Sequence, residues 1–129
     1  MFTLEAIQAA HAQFTGPDFP KLIQEFKKMG MKTNTVDIES ELVSYATADE
    51  VLQTEGLKAR GSVANVANQT AAQVDLARHQ EGQTDFQTFC DDMAAAGIYK
   101  WVIDLEKMTC TYYDKANQPV IAEVIPGGE

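Results

Sequence analysis

The sequence predicts an α+β fold built from two similar helix–helix–hairpin half-units, with an antiparallel sheet and helices packed on one of its faces. Residues 97–114 alternate between apolar and polar as a hairpin does, and four segments carry the caps and glycine stops of helices. The two halves of the chain also match each other at a shift of 67 residues, as Gly30 and Gly97 do. We expect a single domain over residues 1–129, with half-units at about 1–60 and 61–129 related by a pseudo-twofold axis.

The hairpin gives the clearest local pattern. A turn at Glu106 and Lys107 would pair Trp101 with Tyr112 and Ile103 with Cys110. The predicted inward face then carries Tyr99, Trp101, Ile103, Leu105, Met108, Cys110 and Tyr112. The predicted outward face carries Lys100, Asp104, Thr109, Thr111 and Tyr113. The apolar face is the surface that helices are expected to cover.

In the first half, Thr3 is placed to cap a helix that Gly16 and Pro17 end. A second helix begins near Asp18 and stops at Gly30, where a left-handed residue is favoured. The predicted strands that follow cover about 31–39, 42–46 and, more weakly, 51–53.

In the second half, Thr70 opens a capping-box pattern for a third helix that stops near Gly82. Thr84 opens another for a fourth helix, which Gly97 closes. The remaining predicted elements are a loop over 56–61, a short strand over 63–67 and a last strand at about 120–125. Pro119 begins that last strand, which suits the edge of a sheet.

Composition excludes several classes of function. The formal net charge of −9 disfavours binding to nucleic acid and to anionic lipid, since both require basic surfaces. No apolar run approaches the length of a membrane span, and the first residues lack the pattern of a secretory signal. We therefore expect a cytoplasmic protein whose two cysteines are reduced.

The chain also resembles a family of small uncharacterised bacterial proteins, some carried in prophages and labelled phage envelope proteins. The residues that carry the resemblance are 79–82, 84–86, 89–90, 97–98, 100–102 and 106–115, together with 2–4, 11 and 18–20. The resemblance implies an α+β fold and no assigned chemistry. This composition gives the envelope label no membrane support.

Cysteine and histidine are the first candidates for chemistry. Cys90 falls on the apolar stripe of a predicted helix and Cys110 on the inward face of a predicted strand. We therefore expect both cysteines to be small buried hydrophobic residues. His11 and His79 fall one residue off the shift that relates the halves, and each lies near a helix end, where a histidine often only caps. The alternative is a metal site at His11 and His79, or catalysis by His79, Cys90 and Cys110.

The outward face of the hairpin is the second candidate. Asp104, Thr109, Thr111 and Tyr113 could form a polar binding patch, although a solvated sheet face has the same composition.

No catalytic pattern stands out against these structural interpretations. We expect a non-enzymatic module that binds a protein partner or itself, forming a homodimer in the second case, with no cofactor. A metal- or thiol-dependent enzyme, or a small-ligand site, using His79 and Cys90 stays open as the alternative.

Overall fold

The computed structural model describes residues 2–14 and 18–125. The helix break predicted at Gly16 and Pro17 lies outside these residues. The helices are α1 (Leu4–Gln13), α2 (Phe19–Lys28), α3 (Gln69–Gln80) and α4 (Phe86–Ala95). The strands are β1 (Thr33–Asp37), β2 (Leu42–Ala46), β3 (Val51–Glu55), β4 (Ile98–Asp104), β5 (Thr109–Asp114) and β6 (Pro119–Val124).

All six strands form one antiparallel sheet in the order β3-β2-β1-β4-β5-β6, and the helices pack on one side of it. The predicted α+β fold is therefore confirmed. Each half contributes three consecutive strands, and the halves join where β1 pairs with β4, with Thr35 opposite Val102. A buried cluster of the described residues lies between the sheet and the helices and includes Phe26, Ile38, Met93 and Trp101.

The two halves repeat local details at the shift of 67 residues. The bounds of α2 and α4 differ by this shift at their first residues, Phe19 and Phe86, and at their last residues, Lys28 and Ala95. Gly30 and Gly97 both have φ of 85°. The strand order is also equivalent on the two sides of the β1–β4 pair: β2 and then β3 follow β1 toward one edge, and β5 and then β6 follow β4 toward the other. The pseudo-twofold axis itself stays a prediction, which superposition of the two half-units would measure.

The hairpin pairing is confirmed, with Trp101 opposite Tyr112 and Ile103 opposite Cys110. Tyr99, also predicted to face inward, is only partly buried and packs against the buried cluster. The register shifts between Ile98 and Lys100, so that Ile98 is fully buried and Tyr99 is half-buried. A bulge of this kind adds a residue to one strand and interrupts the alternation of side chains at that point.

Two predicted helix caps and one predicted strand are also wrong. The side chain of Asn68, not Thr70, accepts the N–H of Ala71 at the start of α3. Asp85, not Thr84, accepts the N–H of Thr88 at the start of α4. Residues 63–67 form no strand. Thr3 does cap α1, because its Oγ1 accepts the N–H of Ala6 at 3.1 Å.

The turns after β1 and β4 are held by two matching aspartates. Asp37 Oδ1 accepts the N–H groups of Glu39 and Ser40, and Asp104 Oδ1 accepts those of Glu106 and Lys107, all at 2.9–3.0 Å. Such side-chain turns satisfy backbone donors that the strands leave unpaired.

We expect Asp104→Ala to lower the free energy of unfolding by about 1 kcal/mol, because two N–H groups lose their acceptor and water replaces it only in part. Asp37→Ala should cost a similar amount, since its contacts match. Urea unfolding followed by circular dichroism measures both. An Asp104→Ala protein as stable as wild type would show that this carboxylate does not hold the turn.

Candidate functional site

The two thiols lie inside the apolar cluster. Cys90, on α4, has no exposed surface, and Cys110, on β5, is 6% exposed. Both are free thiols. Burial raises the pKa of each thiol to about 12. A thiolate nucleophile requires the opposite shift, so the surroundings of both residues favour a structural role.

His79 lies at the end of α3 and is held there by local contacts. Its ring stacks on Phe89 at a centroid distance of 4.3 Å, and Nδ1 is 3.1 Å from the carbonyl oxygen of Thr84. The ring also lies near Phe86, at 6.4 Å. These contacts join the end of α3 to the start of α4, so they favour a structural role for His79.

No metal centre is formed within residues 2–14 and 18–125, where no three His, Cys, Asp or Glu side chains group closely enough to hold an ion. The residues His11 and His79 lie in separate environments, on Phe26 and on Phe89 respectively.

His11 borders a cavity of about 310 Å³ on the helix-covered side of the sheet. Its Nε2 is 3.5 Å from the hydroxyl of Tyr45, and its ring meets Phe26 edge-on at 5.4 Å. Burial of the ring in these contacts lowers the pKa of His11, which favours the neutral imidazole. The cavity is lined by His11, Asn34, Val36, Val43, Tyr45 and Phe86.

A second cavity, of about 410 Å³, lies under the loop that follows β3. Two of its cations are already paired: Arg60 with Asp91, and Lys115 with Glu39 at 3.8 Å. Its charges therefore hold the loop against α4 and the sheet, which makes it a weaker candidate for a ligand.

The predicted polar patch lies on the open face of the sheet, as expected. Asp104 pairs with Thr109 and Val102 with Thr111, while Lys100 Nζ lies 5.2 Å from the ring centre of Tyr113. The Asp104 carboxylate already accepts two backbone N–H groups, so its role as a ligand contact stays a prediction.

The sequence interpretation missed Asn34, Tyr45 and Phe86 as residues of one site. A signal for Asn34 was present, because it is a polar residue on the inward face of β1 and aligns with Trp101 at the shift of 67 residues. The positions of Tyr45 and Phe86 around it depend on how the helices pack, which no local pattern reports.

Within the described residues, these features define a class: a small α+β protein with helices on one face of its sheet, buried thiols and a mainly apolar cavity beside a histidine. Comparison of sequences then identifies the family of the chain. Residues 8–124 match the family described as protein of unknown function (DUF1398), and the chain belongs to that family.

Two similar relatives are the uncharacterized proteins Mb2035 of Mycobacterium bovis and Rv2012 of Mycobacterium tuberculosis. Each is 32% identical over 115 residues, covering 85% of this chain and 70% of the relative. Their names state no activity, and the prophage association suggested above stays an expectation. Within the described residues, no helix has the length and apolar character needed to cross a bilayer.

Proposed function

We propose that this protein is a non-enzymatic interaction module that associates with a second copy of itself through the free edge of β6. The main support for the proposal is that the outer edge of β6 is exposed and unpaired among the described strands. Val124 is 81% exposed at the end of β6, which pairs with β5 on one side only among the described strands. An exposed strand edge with unpaired backbone groups is a ready template for backbone pairing.

The direction of the backbone groups follows from one hydrogen bond. The N–H of Ile125 donates to the carbonyl of Met108 at 2.8 Å, so residue 125 faces β5. Because backbone groups alternate along an antiparallel strand, those of Ala122 and Val124 point to the free edge. The carbonyl of Val120 also points outward, where Gln69 Nε2 donates to it at 2.8 Å.

This arrangement suits symmetric pairing. With Glu123 at the twofold centre, Ala122 lies opposite Val124 of the second copy, and the two copies exchange about four backbone hydrogen bonds. The two Glu123 side chains then lie opposite each other on the helix side of the joined sheet, where like charges weaken the pairing, although Gln80 Nε2 donates to each carboxylate at 2.8 Å.

The other edge of the sheet is less suited to pairing. The N–H of Gly56 donates to Glu41, so the alternation along β3 directs Val51, Gln53 and Glu55 outward. The charged Glu55 is thus one of the residues whose backbone faces the free edge, which is a common device against association, whereas the backbone groups of Glu123 in β6 face β5. Val51, at 64% exposure, is nevertheless a close match for Val124 and gives a control position.

We expect wild-type protein to dimerise with a dissociation constant in the micromolar range, since one strand pair makes a small interface. Val124→Lys should weaken the dimer at least about tenfold, because a cation replaces an apolar contact beside its own symmetry mate. Sedimentation velocity across a concentration series measures the shift.

Val51→Lys adds the same charge to the opposite edge and should leave the dimer unchanged. The proposal fails if wild-type protein stays monomeric at about 100 μM, or if Val51→Lys dissociates the dimer as strongly as Val124→Lys does.

A further inference from the structure

The cavity beside His11 adjoins a position at which the two halves of the chain differ. At the shift of 67 residues, Asn34 of β1 aligns with Trp101 of β4, and both are buried on the helix side of the sheet. Trp101 fills its surroundings, with ring centroids 5.3 Å from Phe89 and 5.6 Å from Tyr112. Asn34 is far smaller than tryptophan, and a cavity of about 310 Å³ adjoins it.

The polar groups of the cavity converge on one region. Asn34 is 5% exposed, and its Nδ2 donates to the carbonyl of Ser44 at 3.1 Å. Within the described residues, no donor to its Oδ1 is observed, which leaves that oxygen as an acceptor. Tyr45 and His11 bring a hydroxyl and an imidazole to the same cavity.

The rest of the lining is apolar and partly aromatic. Val36 and Val43 form the floor on the sheet, and Phe86 stands at the start of α4 with 41% of its surface exposed. Apolar walls with a few convergent polar groups are the usual composition of a small-molecule site. The rings of Phe86 and Tyr45 favour a planar aromatic guest.

The charge of a guest is also restricted. None of the described residues that line the cavity is Lys, Arg, Asp or Glu, and the lowered pKa of His11 favours an uncharged imidazole. A charged ligand would leave water without a compensating partner, which is costly in a largely apolar site.

We propose that this cavity is a binding site for an uncharged aromatic molecule bearing a carboxamide or lactam group, whose N–H donates to Asn34 Oδ1. The ring lies between Phe86 and the two valines, while Tyr45 and His11 offer a donor and an acceptor to the rest of the polar group. This site is on the helix side of the sheet and is independent of pairing at β6.

Benzamide is the probe, with toluene and benzoate as matched controls that carry the same ring with no polar group and with a charged one. The chain has one tryptophan, Trp101, whose ring centroid lies 6.3 Å from that of Phe86, so its fluorescence reports on the cavity wall. We expect the fluorescence of Trp101 to change saturably with benzamide, with a dissociation constant in the millimolar range. Toluene should bind at least about tenfold more weakly, and benzoate should give no saturation.

Variants locate the site. Asn34→Ala should weaken benzamide binding at least about tenfold and leave toluene binding within about twofold, because it removes the acceptor of the ligand N–H and leaves the apolar walls in place. Phe86→Ala removes a half-exposed wall and should weaken both ligands. Phe19→Ala is the control, since Phe19 aligns with Phe86 at the same shift, is 37% exposed and does not line the cavity.

Spectra of ¹⁵N-labelled protein provide a second readout that does not depend on the variants folding, through the side-chain amide of Asn34 and the indole N–H of Trp101. The proposal is overturned if benzamide gives no saturable change in either readout, if benzoate binds as well as benzamide, or if Phe19→Ala weakens binding as much as Phe86→Ala.

Discussion

Gly97→Ala is expected to lower the free energy of unfolding by about 3 kcal/mol or more, a large part of the stability of a domain this size. Gly97 ends α4 with φ of 85°, where an alanine is strained. A Cβ atom there would also lie 2.7 Å from the Cα of Ala67 and 2.7 Å from the carbonyl oxygen of Val66. Both neighbours are backbone atoms, so relief requires the segment before α3 to move.

Gly30→Ala is the matched control. Gly30 has the same φ of 85° at the end of α2, but no atom lies within 4 Å of the position that its Cβ would take. Its substitution should therefore cost only the backbone strain, about 1 kcal/mol. Equilibrium unfolding in urea measures both variants, and equal losses would mean that the segment at Val66 and Ala67 yields without cost.

The second large effect is the inertness of the thiols. At pH 8, a pKa raised from 9.0 to about 12 leaves roughly a thousandfold less thiolate on Cys90 and Cys110 than on ordinary thiols. We expect iodoacetamide to modify native protein at least about a hundredfold more slowly than protein in denaturant. Mass spectrometry of quenched samples follows the reaction.

Single-cysteine proteins, Cys90→Ala and Cys110→Ala, assign the rate to each thiol. A native thiol that reacts within about tenfold of the denatured rate would be accessible and ionisable, and would support the thiol-enzyme alternative with His79 and Cys90.

The same shifts make stability depend on alkaline pH. The folded state favours the protonated thiols, so their contribution is fully present below about pH 9 and is lost as pH rises toward 12. Burial also raises the pKa of Tyr112 and of Tyr45, which acts in the same direction. Unfolding midpoints should therefore fall steadily above pH 9.

The sequence predicted the parts of the fold that depend on local periodicity. Alternation along the hairpin was enough to pair Trp101 with Tyr112, because apolar residues repeat at the period of a strand. The partial burial of Tyr99 was not predicted, since a bulge interrupts the alternation of a strand without leaving a sequence signal. The caps at Asn68 and Asp85 were missed because a threonine with the same capping ability stands within two residues of each.

The candidate site was less accessible to sequence reasoning. Cysteine and histidine draw attention by their chemistry, yet the structure places Cys90 and Cys110 in the core and His79 against Phe89. Asn34 can be recognised as a candidate binding residue only when the halves are aligned and its side chain is known to be buried. A cavity is a property of packing between α1, α4 and the sheet, and it requires coordinates.

The pairing of β1 with β4 at the middle of the sheet has a consequence for synthesis in the cell. These strands are separated by roughly 60 residues, whereas the other pairings join neighbouring strands, so we expect the central pairing to be the slow, long-range step of folding. While β4 is still inside the ribosome, a nascent chain carries β1 as an unprotected strand edge. Chaperone contact during translation is most useful to this protein in that interval.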